Sequence, residues 1–267
     1  MEEKNQGMSR RTAIKVGLAS VAGLALGATG LFAADELLGS KQKKMKVIAI
    51  NGSPRKNFNT ATLLQQALDG AAQQGAETEL VHLYDLQYKG CMSCMACKLK
   101  NAITHGLCAY KDALTPVLRK CLEADALIFG SPIYYDNVDG MMRSFLERLM
   151  FPIDPYTVNE AGQRNRYLTR TVPVGFIYAM NCPEYMRERF YGPMFKSIEG
   201  YVSHIFGSCH PLYSTFTYQY RDYSRYDVNI FREEDKRKWR EEHFPKDKQQ
   251  AFELGELLVK EAAEKDV

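Results

Sequence analysis

Lys46-Val47-Ile48-Ala49-Ile50, running into Asn51-Gly52-Ser53-Pro54-Arg55-Lys56-Asn57-Phe58-Asn59-Thr60, is the stretch on which the fold turns. A short, continuous apolar run is the mark of a strand covered on both faces. After the turn-rich loop a helix is expected over 60–75. Leu63, Leu64, Ala67, Leu68 and Ala71 recur there at helical spacing, and Gly75 supplies the stop. Working outward, the same alternation repeats. Segments 78–83, 126–129 and 172–180 read as strands and 211–218 as extended chain. Helices are expected over 112–123 with Asp112 as its N-cap, over 140–150, over most of 185–206 and over 248–264. Such alternation implies an α/β fold, a parallel sheet with right-handed crossovers and helices on both faces. Ligands in these folds sit beyond the carboxyl ends of the strands, so chemistry is sought in the loops after the first, third and fourth strands.

The 267 residues, 45% hydrophobic and 25% charged, suit one globular domain with extensions. Thirty-five basic residues against 32 acidic ones leave a net charge of +3. That is too balanced for a nucleic-acid binder held by phosphate contacts. Thirteen Phe and 16 Tyr supply enough core material to exclude disorder. Residues 1–40 read separately, as an address. Ser9-Arg10-Arg11-Thr12-Ala13-Ile14-Lys15 precedes an uncharged stretch, 16–34, rich in Ala, Gly and Leu. A basic start, an apolar middle and small residues near the end make a secretory signal. The paired arginines resemble a twin-arginine export signal. Export across the cytoplasmic membrane, to the periplasm or outer face, is therefore expected. A single membrane anchor is the other reading, since about 20 apolar residues span a bilayer. Neither Ala28-Thr29-Gly30 nor Leu31-Phe32-Ala33 completes a small-x-small cleavage site, which leaves a membrane tether through this segment open.

The loop after the first strand brings hydroxyls, amides and a cation to a helix N-terminus, a phosphate cradle by virtue of free N–H groups and the helix dipole. Its bland alternative is a polar turn capped by Asn59 or Thr60. After the third strand come Gly130-Ser131-Pro132-Ile133-Tyr134-Tyr135-Asp136-Asn137-Val138-Asp139-Gly140. Apolar and aromatic groups at a strand exit suit a planar heterocycle, or else form a proline turn with two core tyrosines. Tyr178-Ala179-Met180-Asn181 follows the fourth strand.

Together these residues resemble the NADPH-dependent FMN reductase and iron-sulfur flavoprotein group of the flavodoxin-like superfamily. Gly52-Ser53-Pro54-Arg55 and Phe58-Asn59-Thr60 match the family phosphate loop, Phe58 standing at a glycine position. Ser131 to Tyr135, Phe176 to Asn181 and Thr217-Tyr218-Gln219-Tyr220 match further family segments. The resemblance implies a flavodoxin-like three-layer sandwich with a five-stranded parallel sheet over 45–267, carrying a cysteine-rich insertion at 88–111. It also implies that Ser53, Arg55, Asn59 and Thr60 hold the FMN phosphate. Pro132, Ile133, Tyr134 and Tyr135 would border the isoalloxazine, with Met180 and Asn181 at its other edge. A homo-oligomer is expected on the same ground.

Cys91-x2-Cys94-x2-Cys97, with Cys108 after ten intervening residues, places four thiols where they can converge. That set suits a [4Fe–4S] cluster, and less well a structural zinc. Disulfides or reduced free thiols are the alternatives. Glu233 to Glu242 is a charge run read as a solvated helix face. The Tyr-rich stretch from Tyr213 to Tyr226 would cover a flavin or a neighbouring subunit, or form a surface arm. Nothing in the chain supplies a Ser–His–Asp arrangement. An exported FMN-dependent oxidoreductase is expected, exchanging electrons with a redox partner protein or a quinol. An electron-carrier module and a cytoplasmic NAD(P)H:FMN or quinone reductase are the alternatives.

Overall fold

The computed structural model describes residues Lys44–Lys265, so the expected export signal or anchor at 1–40 lies outside the described residues. Five strands form the parallel sheet: β1 (Lys46–Asn51), β2 (Glu77–His82), β3 (Ala126–Tyr134), β5 (Val172–Ala179) and β6 (Gly207–Ser214). Their spatial order is β2-β1-β3-β5-β6, and every neighbouring pair is parallel. A two-residue strand, β4 (Asn137–Val138), pairs antiparallel with the outer end of β3.

The period of two along the central strands assigns the layers. Val47 and Ala49 of β1, with Ile128 and Ile177, face helices α1 (Asn59–Gln73) and α5 (Glu233–Lys265). Ile48, Ile50, Leu127, Phe129, Phe176 and Tyr178 face the opposite layer. That layer holds α2 (Thr115–Glu123), α3 (Gly140–Ile153) and α4 (Glu184–Phe206). The result is the expected α/β three-layer sandwich.

Several boundaries differ from those expected, each for a local reason. Helix α2 starts three residues late because Pro116 has no N–H to give the Asp112 carbonyl. The Thr115 amide takes that carbonyl instead, and Asp112 caps a turn through the Leu114 amide at 3.0 Å. The last strand is β6 at Gly207–Ser214 and not 211–218, since the chain turns out of α4 at Gly207, φ +103°. Pro211 is tolerated because β6 is an edge strand. Among the described residues, no helix is long and apolar enough to cross a membrane.

Helix α5 begins at Glu233, fifteen residues before the expected 248, and its first turns are not a solvated face throughout. Lys238 and Glu234, and Arg232 and Asp235, pair on the outside. Lys236 and Phe244 are buried, and Trp239 donates its indole N–H to the Thr215 carbonyl at 3.0 Å. Farther along, α5 crosses α1 so closely that two glycines meet opposing backbone. A Cβ on Gly255 would stand 1.8 Å from the Ala67 carbonyl oxygen, and one on Gly70 would stand 2.0 Å from that of Phe252.

Gly255→Val is therefore expected to destabilise the domain by about 1–3 kcal/mol, read as a lower urea midpoint. Gly200→Ala, on α4 where nothing lies within 4 Å of the added carbon, should instead raise stability, by up to about 1 kcal/mol.

Candidate functional site

Strand β1 has β2 on one side and β3 on the other, so its strand order reverses there, and the crevice at such a reversal is where open α/β sheets bind ligands. The loop out of β1 is shaped by its own side chains. Asn51 Oδ1 accepts from the Ser53 amide at 2.9 Å, and Ser53 Oγ accepts from the Arg55 amide at 3.2 Å. Gly52 bonds the Gly130 carbonyl at 2.8 Å, tying the loop to β3. Any Cβ on Gly52 would sit 2.3 Å from Asp139 Oδ2.

Phe58 is the N-cap of α1, with φ −133° and ψ −168°, extended backbone that requires no glycine. Its side chain caps nothing. The first turn of α1 thus enters the crevice with buried residues Asn59 and Thr60 and no side-chain oxygen on its leading amides. Unsatisfied amides at the positive end of a helix dipole attract an anion.

Ser53, Arg55, Phe58, Asn59 and Thr60 line a cleft of about 130 Å³ together with Pro132, Ile133, Tyr134, Ala179 and Asn181. Eight of the ten residues expected to hold a cofactor therefore meet at one place. Met180 is buried and does not line the cleft; its carbonyl accepts from the Thr217 amide at 3.0 Å and hydroxyl at 3.1 Å. Tyr135 lies with Asp136 at the tip of the β3–β4 hairpin, both with positive φ, and is fully exposed. A two-residue turn with φ > 0 at both positions matches strand twist, which explains the tight tip despite the absence of glycine.

Three further features complete the cleft, of which the sequence pointed to segment 217–220 and left Arg240 and the capping role of Asp139 without a local trace. Segment 217–220 forms its far wall: Asn59 Nδ2 donates to the Tyr218 carbonyl at 2.8 Å, and Arg55 donates to that of Gln219. Arg240 of α5 donates to Asn59 Oδ1 at 2.9 Å and stacks on Phe244. Asp139 caps α3 through the Met141 and Met142 amides and accepts from Ser131 Oγ at 2.9 Å. Burial pushes its carboxyl up to about 6, against the opposing hydrogen bonds of Ser131, the two amides and Tyr84.

The four cysteines occupy the crossover between β2 and α2. Cys91, Cys94, Cys97 and Cys108 all line one concavity, with Arg148 and Phe151 of α3 as its floor. Ser93 and Met95, between the first three, have φ of 54° and 57°, a conformation that costs energy outside glycine and is often kept at functional loops. Arg148, 1% exposed, holds this segment to α3. It donates to the carbonyls of Lys89 at 3.1 Å and Tyr110 at 2.8 Å, and pairs with Asp112. Burial works against its charge, but Asp112 and Cys108 more than offset this and raise its pKa. Burial raises the Cys97 thiol, with Lys98 pulling the other way. Among the described residues, no three His, Cys, Asp or Glu side chains stand close enough to share a metal ion, although four thiols lining one concavity are the donor set that thiolate-ligated groups use.

Asp139 yields a pH prediction. Its folded pKa lies above the unfolded value, so the folded state binds the extra proton between about pH 4 and 6, and stability falls as pH rises through that window. Asp139→Asn keeps an N-cap and removes the titration. Urea unfolding of the wild type should lose stability between pH 4 and 7 relative to the variant; parallel curves would place the effect elsewhere.

Comparison with known proteins follows the same lines. Over 104 residues the chain is 38% identical to an iron-sulfur flavoprotein of Methanocaldococcus jannaschii, covering 39% of this chain and 51% of that one. It is 42% identical over 104 residues to an iron-sulfur flavoprotein of Archaeoglobus fulgidus, covering 39% and 48%. The chain thus spans about half the length of the curated relatives it matches. Its fold is like that of an NAD(P)H:quinone oxidoreductase from Methanothermobacter marburgensis, with a TM-score of 0.52 at 13% identity, covering 80% of this chain and 97% of that one. Residues 45–181 match the family described as NADPH-dependent FMN reductase. That match covers the strand-order reversal, the phosphate-type loop and the aromatic strand exit that meet in one cleft, and this chain belongs to the NADPH-dependent FMN reductase family.

Proposed function

We propose that this protein is an FMN-dependent oxidoreductase that pairs its flavin with an iron–sulfur cluster. The observation that carries the reading is the uncapped N-terminus of α1, set beside Ser53 and Arg55 at the reversal of strand order. Ser53, Arg55, Asn59 and Thr60 would hold the phosphate, and Pro132, Ile133, Tyr134 and Asn181 the ring. Tyr134, half exposed, leaves one side of that position open to a second reactant. FMN, when bound, exchanges electrons in pairs or singly, whereas a cluster takes one at a time; the protein positions both and tunes them.

Cys91, Cys94, Cys97 and Cys108 are the proposed cluster ligands. The names of the iron-sulfur flavoproteins to which the chain is similar support this reading, as does the concavity the four thiols share. Helix α3 joins the two sites. Asp139 at its start lies under the phosphate loop and Arg148 lies at the thiols, a rise of about 13 Å.

The electron donor follows from location. Arg10-Arg11 ahead of the uncharged stretch 16–34 supports export, and outside the cytoplasm a membrane quinol or a redox protein is the accessible donor.

Anaerobically purified protein should carry about one FMN with about four irons and four acid-labile sulfides per chain. Cys97→Ser and Cys108→Ser should lose the iron and keep the flavin. Arg55→Ala should weaken FMN binding about tenfold or more, the loss of one charge-assisted phosphate contact. FMN without iron would reduce the thiols to a structural or redox role, and no FMN would overturn the reading. Slow NAD(P)H oxidation beside fast turnover with a reduced quinol supports the exported form; the reverse pattern supports an NAD(P)H reductase.

A further inference from the structure

Behind the cleft, against its lining residue Asn181, is a buried cation that the phosphate-loop reading does not use. Lys236, on the first turn of α5, is 1% exposed. Its neighbours Glu234 and Asp235 turn outward to Lys238 and Arg232. Among the described residues, no carboxylate is within ion-pair distance of the ammonium, which instead meets Asn181 Oδ1 at 2.5 Å and the Phe216 carbonyl at 3.4 Å. The rings of Phe216 and Phe231 lie 4.1 and 5.6 Å away. Burying a charge without a partner of opposite sign is expensive, and two oxygens and an aromatic face compensate only part of that cost. Burial alone lowers the Lys236 pKa to about 8.

An ammonium has donors only, so the amide oxygen of Asn181 must face it. The Nδ2 hydrogens are then the donors that Asn181, a lining residue of the cleft, has left for an occupant. We propose that Lys236 is a positioning residue of the flavin cleft: it locks the Asn181 amide with its N–H groups turned to the ring edge and supplies the positive charge at that end of the ring. This rests on the flavin reading of the cleft. A bound FMN ring gains electron density on reduction, so a fixed cation beside its edge favours the reduced form.

Two variants test it in the full chain. Lys236→Met removes the charge and the lock. Asn181→Asp keeps the shape and gives Lys236 a carboxylate, so the fold is retained, but it has no N–H to donate. FMN affinity is read by flavin fluorescence titration and the FMN midpoint potential by anaerobic dye-equilibrated reduction, neither requiring turnover. Both variants should bind FMN about tenfold more weakly or worse, with a midpoint shifted to lower potential. A merely structural lysine would leave the midpoint of a folded Lys236→Met unchanged, whereas Lys236→Arg, which keeps the charge and its donors, should hold both readouts near wild type. A wild-type affinity and midpoint in folded Lys236→Met or folded Asn181→Asp overturns the proposal. Should Lys236→Met fail to fold, Lys236→Gln, which removes the charge and keeps a donor, takes its place, and a wild-type affinity and midpoint in it overturns the proposal. Wild-type protein that binds no FMN overturns both this assignment and the flavin reading, whereas FMN binding with unaltered variants overturns only the role of Lys236.

Discussion

The strand order of the sheet reverses at β1, and the site is a consequence of that reversal. The chain leaving β1 enters α1 on one face, while the chain leaving β3 enters α3 on the other. Two helices departing to opposite faces cannot both cover the gap between the strands that launch them, so a crevice stays open at their carboxyl ends. The polar elements of the cleft are arranged about that gap. The Ser53 loop is tied to β3 through Gly52, Asp139 is placed beneath it, and Asn181 and segment 217–220 close the sides.

Two buried cations mark the two candidate sites, and they differ in how they are compensated. Arg148 has a carboxylate and two backbone carbonyls, and through them it holds residues 89, 110 and 112 against α3. Such a network fixes one arrangement of the cysteine loop more than it adds to stability, because desolvating both charges offsets much of their attraction. Among the described residues, Lys236 meets neutral oxygens and aromatic rings and no carboxylate. A fold that keeps a partly compensated cation behind a lining residue of its cleft favours an anionic or electron-rich occupant there.

Segment 216–226 connects these features. It leaves β6, gives carbonyls to Asn59 and Arg55, and is packed by its own rings, with Tyr220 stacked on Tyr226 at 4.1 Å and edge-on to Tyr223. Helix α5 then packs on it through Trp239, edge-on to Phe216 at 6.1 Å, and through Arg240, over the Tyr218 ring at 5.6 Å. The far wall of the cleft is therefore built from residues about 160 positions after the loop it faces.

The sequence by itself determined the layers and the place of the crevice. Apolar runs at 47–50, 126–129 and 172–179 can satisfy their burial only as central strands, and the amphipathic period of 60–73 requires a helix beside them. The four thiols and the phosphate-type loop were legible for the same reason, since their spacing is local. Tertiary structure alone decided that Asp112 pairs with Arg148 instead of starting a helix, and that Tyr135 stands at a hairpin tip. It also decided that Lys236 and Arg240 turn inward from a charged run. Hydrophobic periodicity records only which apolar side chains leave water. A polar side chain buried by a partner far along the chain leaves no periodic trace, and its position emerges when the fold brings that partner to it.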